Sequence, residues 1–394
     1  MSSTGEQIEG FHDGAATRPG VLGTIGSFFR LRPESEQFLH LDALRFIASA
    51  GIVAFHYQEW ITWRSPPVVL EALFGFGQFV DLFFVISGIV IFELYRERIN
   101  QRSDYVRFLR KRVARLLPLH WLTLTFFCLV AVLSERFGRT GSDADWSCLL
   151  PNAFLLHAFG TCRDLSFNTP SWSISAEMAM YASFPVALAL LGRRSLAWIA
   201  LLLILIALSR MSAGGGQPWY ERTYDFGVVR SVPAFLFGGL LASHRHLLGR
   251  IPAAPVLMWI GLALFVVLRL AEAPAALRLA CIYLIPVFGL AADQGRRAGR
   301  AIRVIAPLGQ LTYSIYMLHL PVAWTVLLFA GPRLGVTGVA MNLLILVTGL
   351  VILPVVSILS LRLFETPMRR WWSGGRRAEA KPVSSAVVAG EFAP

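Results

Sequence analysis

Long apolar runs, separated by short polar links, occupy most of the chain. A helix that crosses the hydrocarbon layer of a membrane needs about 20 apolar residues. Segments that reach or approach this length cover residues 40–62, 76–95, 117–134, 173–191, 195–210, 229–244, 254–271, 275–292, 307–330 and 336–364. Proline inside several of them is compatible with a membrane helix when neighbouring helices satisfy the freed carbonyl groups. The pattern predicts an all-α protein, a polytopic membrane bundle of about ten transmembrane helices.

Basic residues are concentrated in alternate links between these segments. Eight of them lie between Arg96 and Arg115, where the second segment leads to the third. The links on the opposite side hold fewer arginines, and acidic residues accompany several of these. By the positive-inside rule we expect both termini to be cytoplasmic, which agrees with an even number of crossings.

The two ends of the chain differ from its middle. Residues 1–38 and 368–394 are polar and rich in Gly or Ala, and they contain no long apolar run. We expect both to be cytoplasmic tails, the first of them disordered, on either side of a membrane domain at residues 39–367.

The composition agrees with an integral membrane protein. Hydrophobic residues make up 55% of the chain and charged residues only 15%, against about 25% charged residues in soluble domains. The net charge of +12 comes mainly from arginines that fit cytoplasmic links, so we expect no nucleic-acid partner. The expected location is the cell inner (plasma) membrane, with membrane lipids around a multi-pass protein.

The first segment carries three polar groups that are costly in hydrocarbon. Arg45 and His56 are separated by about 16 Å of helical rise, close to three full turns, so they share one face. Asp42 precedes Arg45 by three residues and can pair with it. Such a stripe is expected to face the bundle interior or a water-filled cavity. It is either a functional surface, or a structural Asp–Arg pair with a His that hydrogen-bonds to a neighbouring helix.

Two further stretches hold charged residues near the ends of predicted spans. Arg112 and Arg115 form an i, i+3 pair that could bind phosphates or could simply belong to the positive-inside charge. Glu177 lies one to two turns into the fourth segment, close to Ser173, and a carboxyl group at that depth needs a partner. The competing interpretation of Glu177 is a helix cap in a Ser-x-Ser-x-Glu pattern.

Small and aromatic residues mark two other segments. Ser87 and Gly88, in the middle of the second segment, favour close packing of helices or make room for a linear ligand. Tyr313 and His319 lie in the ninth segment, where a single His is more often a satisfied core residue than a functional group.

The chain has four cysteines, and none of them has the CxxC spacing of a metal or redox motif. We therefore expect no metal site. Cys148 and Cys162 lie in the link 135–172, which the charge pattern assigns to the outside. They could form a disulfide on an oxidising face or remain free thiols.

Taken together, six stretches of the chain resemble the motifs of acyltransferase family 3, membrane proteins that O-acylate surface glycans, antibiotics and related acceptors. The matching residues, in chain order, are Asp42, Arg45 and His56; Phe83, Phe84, Ser87 and Gly88; Arg112, Arg115 and Pro118; residues 171–177; residues 313–319; and Phe364, Glu365 and Pro367. The chain departs from the family pattern at Phe46, where Gly is usual, and at Met178 and Met180.

The resemblance implies a reaction and a role for each candidate residue. It implies an acyl-CoA donor substrate, usually acetyl-CoA, on the cytoplasmic side and no permanently bound cofactor. The implied acceptor is a hydroxyl of a glycan, a lipid-linked sugar or a natural product near the outer face. His56 is the expected general base or acyl carrier, Glu177 is expected to orient His56 or the acceptor, and Arg45 to hold pyrophosphate or polarise the thioester carbonyl. Arg112 and Arg115 are expected to bind CoA phosphates. Supporting positions are Asp42, Ser87, Ser173, Tyr313 and His319.

Two other classes of protein share part of this pattern. A transporter or flippase of a glycan or lipid-linked substrate also has many spans, prolines within helices and intramembrane charge. Transporters often contain internal repeats, and no convincing repeat relates the two halves of this chain. A non-catalytic membrane scaffold would tolerate the loss of Arg45 and His56 together.

Overall fold

The structure, a computed structural model, describes residues 31, 33, 37–61, 67–136, 144–213, 217–295, 298–330 and 333–373. All regular elements in these ranges are helical. The predicted tails fall almost wholly outside them. The α-helices are α1 Leu39–Tyr57, α2 Pro67–Gly75, α3 Phe79–Tyr95, α4 Arg102–Arg136, α5 Leu149–Ala153, α6 Trp172–Ala182, α7 Phe184–Gly192, α8 Arg194–Ala213, α9 Val228–Ser243, α10 Arg245–Leu248, α11 Ala254–Leu270, α12 Ala275–Gln294, α13 Arg300–Ile305, α14 Thr312–Ala323, α15 Gly338–Val347, α16 Leu353–Leu359 and α17 Thr366–Trp372. Turns of 3-10 helix lie at Gln58–Trp60, Phe76–Gln78, Trp146–Cys148, His157–Phe159, Thr169–Ser171 and Ala306–Leu311, and π-helix lies at Trp324–Ala330, Thr348–Ile352 and Ser360–Glu365.

Six helices within the described ranges are long and apolar enough to cross a membrane: Leu39–Trp60, Glu71–Tyr95, Arg102–Arg136, Arg194–Ser212, Ala275–Gln294 and Gly338–Trp372. The pair Thr169–Ala182 and Phe184–Gly192 makes a seventh if it is one span bent by 57°. Pro185, in the first turn of α7, cannot donate a backbone hydrogen bond to the preceding turn, which explains the break. Helices α9 and α11 are apolar but shorter. Several apolar helices therefore agree with a membrane protein, and this criterion gives fewer crossings than the ten predicted.

Helix α1 lies at the centre of the bundle. It packs against α3, α12, α13, α14 and the 3-10 turn Ala306–Leu311. Its side chains Leu41, Leu44 and Ala48 are fully buried. The polar stripe predicted on this helix is consequently held among other helices.

Helices α3 and α9 pack backbone against backbone. A Cβ atom added to Gly88 would lie 2.2 Å from the carbonyl oxygen of Phe235, and one added to Gly238 would lie 2.2 Å from the carbonyl oxygen of Val85. Small residues permit such close approach between membrane helices. For Gly88 the packing interpretation of the sequence is therefore confirmed.

Ion pairs connect helices inside the bundle. The guanidinium of Arg230 on α9 donates to both carboxylate oxygens of Asp81 on α3, at 2.9 and 2.7 Å, and both side chains are buried. At another point Asp293 accepts from the ring and the backbone N–H of His40, at 2.7 and 2.8 Å. A buried charge is tolerated when it is paired and hydrogen-bonded in this way.

The link before α6 is a set of short helices held by a disulfide. Cys148 and Cys162 are joined, with their Cα atoms 5.4 Å apart. Leu150 on α5 and Phe154, the residue that follows α5, are each 67% exposed, which is typical of apolar side chains that meet lipid at a membrane surface. Of the two alternatives predicted for these cysteines, the structure has the disulfide.

Candidate active site

Two cavities lie next to each other within the helix bundle. The first, called here the Glu177 cavity, has a volume of about 230 Å³, and the second, the His56 cavity, has a volume of about 420 Å³. Val80 and Tyr316 line both of them and form the wall that the two share. The stripe on α1 serves both cavities, because Arg45 lines the first and His56 lines the second.

The Glu177 cavity is lined by three arginines. Arg45 comes from α1, and Arg112 and Arg115 come from one face of α4. Asp42 is buried beside Arg45, with a carboxylate oxygen 3.6 Å from a guanidinium nitrogen, so the predicted pair is present. Three guanidinium groups around a half-apolar cavity make a site suited to an anionic ligand with phosphate groups.

Aromatic side chains fix the position of Arg112. Its guanidinium donates to the hydroxyl of Tyr95 at 2.9 Å. Its Cζ atom also lies 5.2 Å from the ring centroid of Tyr95, 5.7 Å from that of Phe108 and 5.8 Å from that of Tyr181. Such cation–π contacts orient the planar guanidinium before any ligand binds. Lys111, the next residue along α4, is exposed and does not line the cavity.

Glu177 belongs to this first cavity, with partners other than His56. Its carboxylate accepts hydrogen bonds from Ser87, at 2.9 Å, and from Tyr181, one turn along α6. Ser87 directly precedes Gly88 on α3. The side chain of Ser87 lines the cavity, whereas Gly88 lets α3 and α9 pack closely. The sequence suggested that Glu177 orients either the imidazole of His56 or the acceptor. In the structure its hydrogen bonds are to Ser87 and Tyr181 and not to His56.

Two other predicted positions line the Glu177 cavity. The Tyr313 hydroxyl donates to the backbone carbonyl of Leu116 on α4, which ties α14 to that helix. The Ser173 hydroxyl lies 2.7 Å from the hydroxyl of Tyr316, the residue of the shared wall. Each therefore shapes the cavity through a helix-to-helix hydrogen bond.

His56 faces the second cavity without a protein partner for its ring nitrogens. The residues that the structure describes supply no hydrogen bond to either nitrogen. Its ring packs edge-on against Phe55, with the centroids 4.8 Å apart. An imidazole with free nitrogens on a cavity can accept a proton from a ligand that enters that cavity.

His319 lies behind His56 and is wholly buried. The two ring centroids are 5.0 Å apart. Nδ1 of His319 is 2.7 Å from the backbone carbonyl oxygen of Tyr316, and because a carbonyl only accepts, Nδ1 carries the proton. Nε2 is then an acceptor, and it is buried with no partner in the described part of the chain. The hydroxyl of Tyr57 holds the backbone here by donating to the carbonyl of His319 at 2.9 Å.

The remaining matched motif, around Glu365, lies next to the Glu177 cavity. Glu365 accepts from the hydroxyls of Ser314, at 2.6 Å, and Ser360, at 2.7 Å, and it lines a small pocket together with Arg115. Among the described residues no group of three His, Cys, Asp or Glu side chains has an arrangement that would hold a metal ion.

The sequence reasoning missed several charged residues that the structure places at the site. Arg230, Arg269 and Arg278 all line the His56 cavity. The intramembrane-charge rule applied to Glu177 would have identified Arg230 and its partner Asp81, which lie inside the sixth and second predicted segments. Arg269 and Arg278 lie near the ends of the seventh and eighth predicted segments, where the charge pattern does not distinguish them from residues of the link.

The chain is similar to known proteins over most of its length. The model of a protein family described as an acyltransferase domain matches residues 38–362. Acyltransferase MdmB from Streptomyces mycarofaciens is 26% identical over 319 residues, covering 71% of this chain and 77% of that protein. No solved structure matches the chain.

Proposed function

Because this chain belongs to the acyltransferase domain family and is an acyltransferase, we propose that it is a membrane O-acyltransferase with an acyl-CoA donor. The acyl group, most simply acetyl, is transferred to a hydroxyl of a glycan, a lipid-linked sugar or a natural product. The observation that supports this most strongly is the pair of adjoining cavities, one lined by Arg45, Arg112 and Arg115 and the other by His56.

The Glu177 cavity is the proposed donor side. CoA carries a pyrophosphate and a further phosphate, and guanidinium groups bind phosphate through paired, charge-assisted hydrogen bonds. Arg112 and Arg115 bind these phosphates, while Arg45 holds the pyrophosphate or polarises the thioester carbonyl. Glu177, oriented by Ser87 and Tyr181, balances part of the positive charge in the same cavity.

His56 acts as the general base between donor and acceptor. It takes the proton of the acceptor hydroxyl while the hydroxyl oxygen forms a bond to the thioester carbonyl carbon. The tetrahedral intermediate then expels CoA by breaking the carbon–sulfur bond, and the imidazolium returns its proton to the sulfur. His319 is a positioning residue: its ring lies 5.0 Å from that of His56, and in the proposed reaction its Nε2, which has no partner among the described residues, accepts a hydrogen bond from the imidazole of His56 through a bridging water. Transfer through an acyl-histidine at His56 is the other route the same residue supports.

The proposed topology has ten crossings, both termini in the cytoplasm and the Glu177 cavity open to that side. Arg112 and Arg115, which line this cavity, belong to the basic link 96–115, and such links are typical of the cytoplasmic side. The Cys148–Cys162 disulfide is in the link of the opposite side, and disulfides persist in oxidising compartments. In this proposal the six long helices are joined by four further crossings: the bent pair α6 and α7, the shorter helices α9 and α11, and α14 with the π-helix Trp324–Ala330.

The experiment is acyl-CoA turnover by the purified protein, measured as CoA released from acetyl-CoA in the presence of a membrane extract that supplies acceptors. His56→Ala should lower turnover by at least about 10²-fold, since a placed general base contributes about 10²–10⁴. His246→Ala, a change at an exposed His on α10, is the matched control and should keep the wild-type rate. Near-normal turnover by His56→Ala would refute the mechanism. Mass spectrometry of extracts from cells with and without the protein would identify the acylated product.

A further inference from the structure

The His56 cavity is lined by three arginines, Arg230, Arg269 and Arg278, although a general base at His56 does not require a positive charge beside it. Arg230 is neutralised by Asp81. Arg269 and Arg278 also line the cavity, and within the described ranges neither has a carboxylate within 4 Å. Glu221 is the one acidic side chain among the residues that line it. The cavity therefore keeps two guanidinium groups without an ionic partner.

Local structure holds both arginines at this position. A Cβ atom on Gly75 would lie 2.7 Å from Cγ of Arg269, so the glycine leaves room for the arginine stem to lie along α2. Arg278 donates from Nη1 to the backbone carbonyl of Ala273 at 2.5 Å, while its Nε is buried without a partner. A guanidinium that is anchored in this way and has an unused buried N–H group is suited to donate a hydrogen bond to a ligand.

General explanations of surface arginines do not account for the pair. A helix dipole stabilises Arg269, in the last turn of α11, but it opposes Arg278, in the first turn of α12. The charge pattern also places this link on the side of the membrane where arginines are scarce. Among the described residues that line the cavity only Glu221 is acidic without an arginine partner of its own, and an anionic ligand would supply the second negative charge.

We propose that the acceptor carries an anionic group, a carboxylate or a phosphate, which Arg269 and Arg278 bind while its hydroxyl meets His56. This inference rests on the proposed function and names the class of its acceptor. Tyr220, which lines the same cavity and is partly exposed, supplies an aromatic ring on which a sugar ring packs. Two unpaired guanidinium groups would repel an acceptor with a net positive charge.

The test compares two probes that differ only at C6 of the sugar, octyl β-glucuronide with a carboxylate there and octyl β-glucoside with a neutral hydroxymethyl group. The readout is protection of His56 in the purified full-length protein from carbethoxylation by diethyl pyrocarbonate, followed by peptide mass spectrometry. The glucuronide should protect at a concentration at least about tenfold lower than the glucoside, because one charge-assisted hydrogen bond is worth about one order of magnitude in affinity. The double variant Arg269→Gln, Arg278→Gln should lose this preference. Arg250→Gln, a change at an exposed arginine, should retain it.

Every other outcome contradicts the inference. Equal protection by the two probes, no protection by the glucuronide at millimolar concentration, or a preference that survives in the double variant would each overturn it. Protection by dioleoylphosphatidylglycerol equal to that by the glucuronide would assign the arginines to a lipid headgroup instead of the acceptor. Because this assay needs no acyl-CoA, a protein that shows the preference but does not turn over acyl-CoA would refute the proposed function alone.

Discussion

One prediction tests whether the basic residues of α4 bind CoA or only set the membrane topology, and it compares Arg112 with Lys111. They are adjacent on α4, both basic, and both belong to the charge-rich link that the positive-inside rule explains. Arg112 lines the Glu177 cavity and is oriented by aromatic rings, whereas Lys111 is exposed. If charge in this link serves topology alone, the two residues should be equivalent for CoA.

The magnitude follows from the bonds that Arg112 would make. A hydrogen bond to a charged group contributes about 1.5–3 kcal/mol, so Arg112→Gln should weaken CoA binding about 10- to 100-fold. The lower half of this range is expected because Arg112 is only partly buried and salt screens its charge. Lys111→Gln should change the Kd by less than about twofold.

The assay is calorimetric titration of CoA into each purified full-length protein, at two salt concentrations. Binding to the wild type should weaken as salt rises, and the slope should be smaller for Arg112→Gln because one phosphate contact is gone. A loss of affinity in Lys111→Gln equal to that in Arg112→Gln would refute the reasoning, and so would an unchanged Kd in Arg112→Gln.

Three further outcomes follow from the same structure. His319→Ala should lower kcat about tenfold or more while the Kd for CoA stays unchanged, because it positions His56 without contacting the donor; an unchanged kcat would remove this role. Cys148→Ser should reduce the free energy of unfolding by about 3 kcal/mol for a loop of this length, and a reductant should lower the Tm of the wild type but leave that of the variant unchanged. Gly88→Ala, whose new Cβ would lie 2.2 Å from a carbonyl oxygen of α9, should lower the free energy of unfolding by about 1–3 kcal/mol. Gly192→Ala is the control, because a Cβ there meets nothing within 4 Å, and it should leave the stability unchanged. Equal Tm values for the two variants would contradict the close packing of α3 and α9.

Features that depend on a single helix could be predicted from the sequence. The spacing of Arg45 and His56 places them on one side of α1, and the structure indeed gives each of them a cavity to line. The i, i+3 spacing of Arg112 and Arg115 likewise places both at the Glu177 cavity. Helical periodicity fixes a face, which is why these predictions hold.

Contacts between helices could not be predicted in the same way. Asp81 and Arg230 are 149 positions apart, and no local pattern says that α3 and α9 touch. For the same reason Glu177 was expected near His56, whereas its partners are on α3 and on its own helix. Periodicity says which way a side chain points but not which helix lies opposite.

The count of crossings shows another limit of hydropathy. An apolar run measures the length available to cross the membrane, but not whether the helix is continuous. The segment 173–191 is broken before α7, and the segment 307–330 is divided between a 3-10 turn, α14 and a π-helix. Proline and changes of helical type decide such breaks, and they depend on the neighbouring helices.

The central claim is that donor and acceptor meet beside Val80 and Tyr316, which form the wall that the two cavities share. Cryo-electron microscopy of the protein with a non-hydrolysable thioether analogue of acetyl-CoA tests it most directly. The account predicts density for the phosphates at Arg45, Arg112 and Arg115 and for the acyl end at that wall, within reach of His56. Density that places the acyl end away from His56, or the phosphates away from the three arginines, would contradict it.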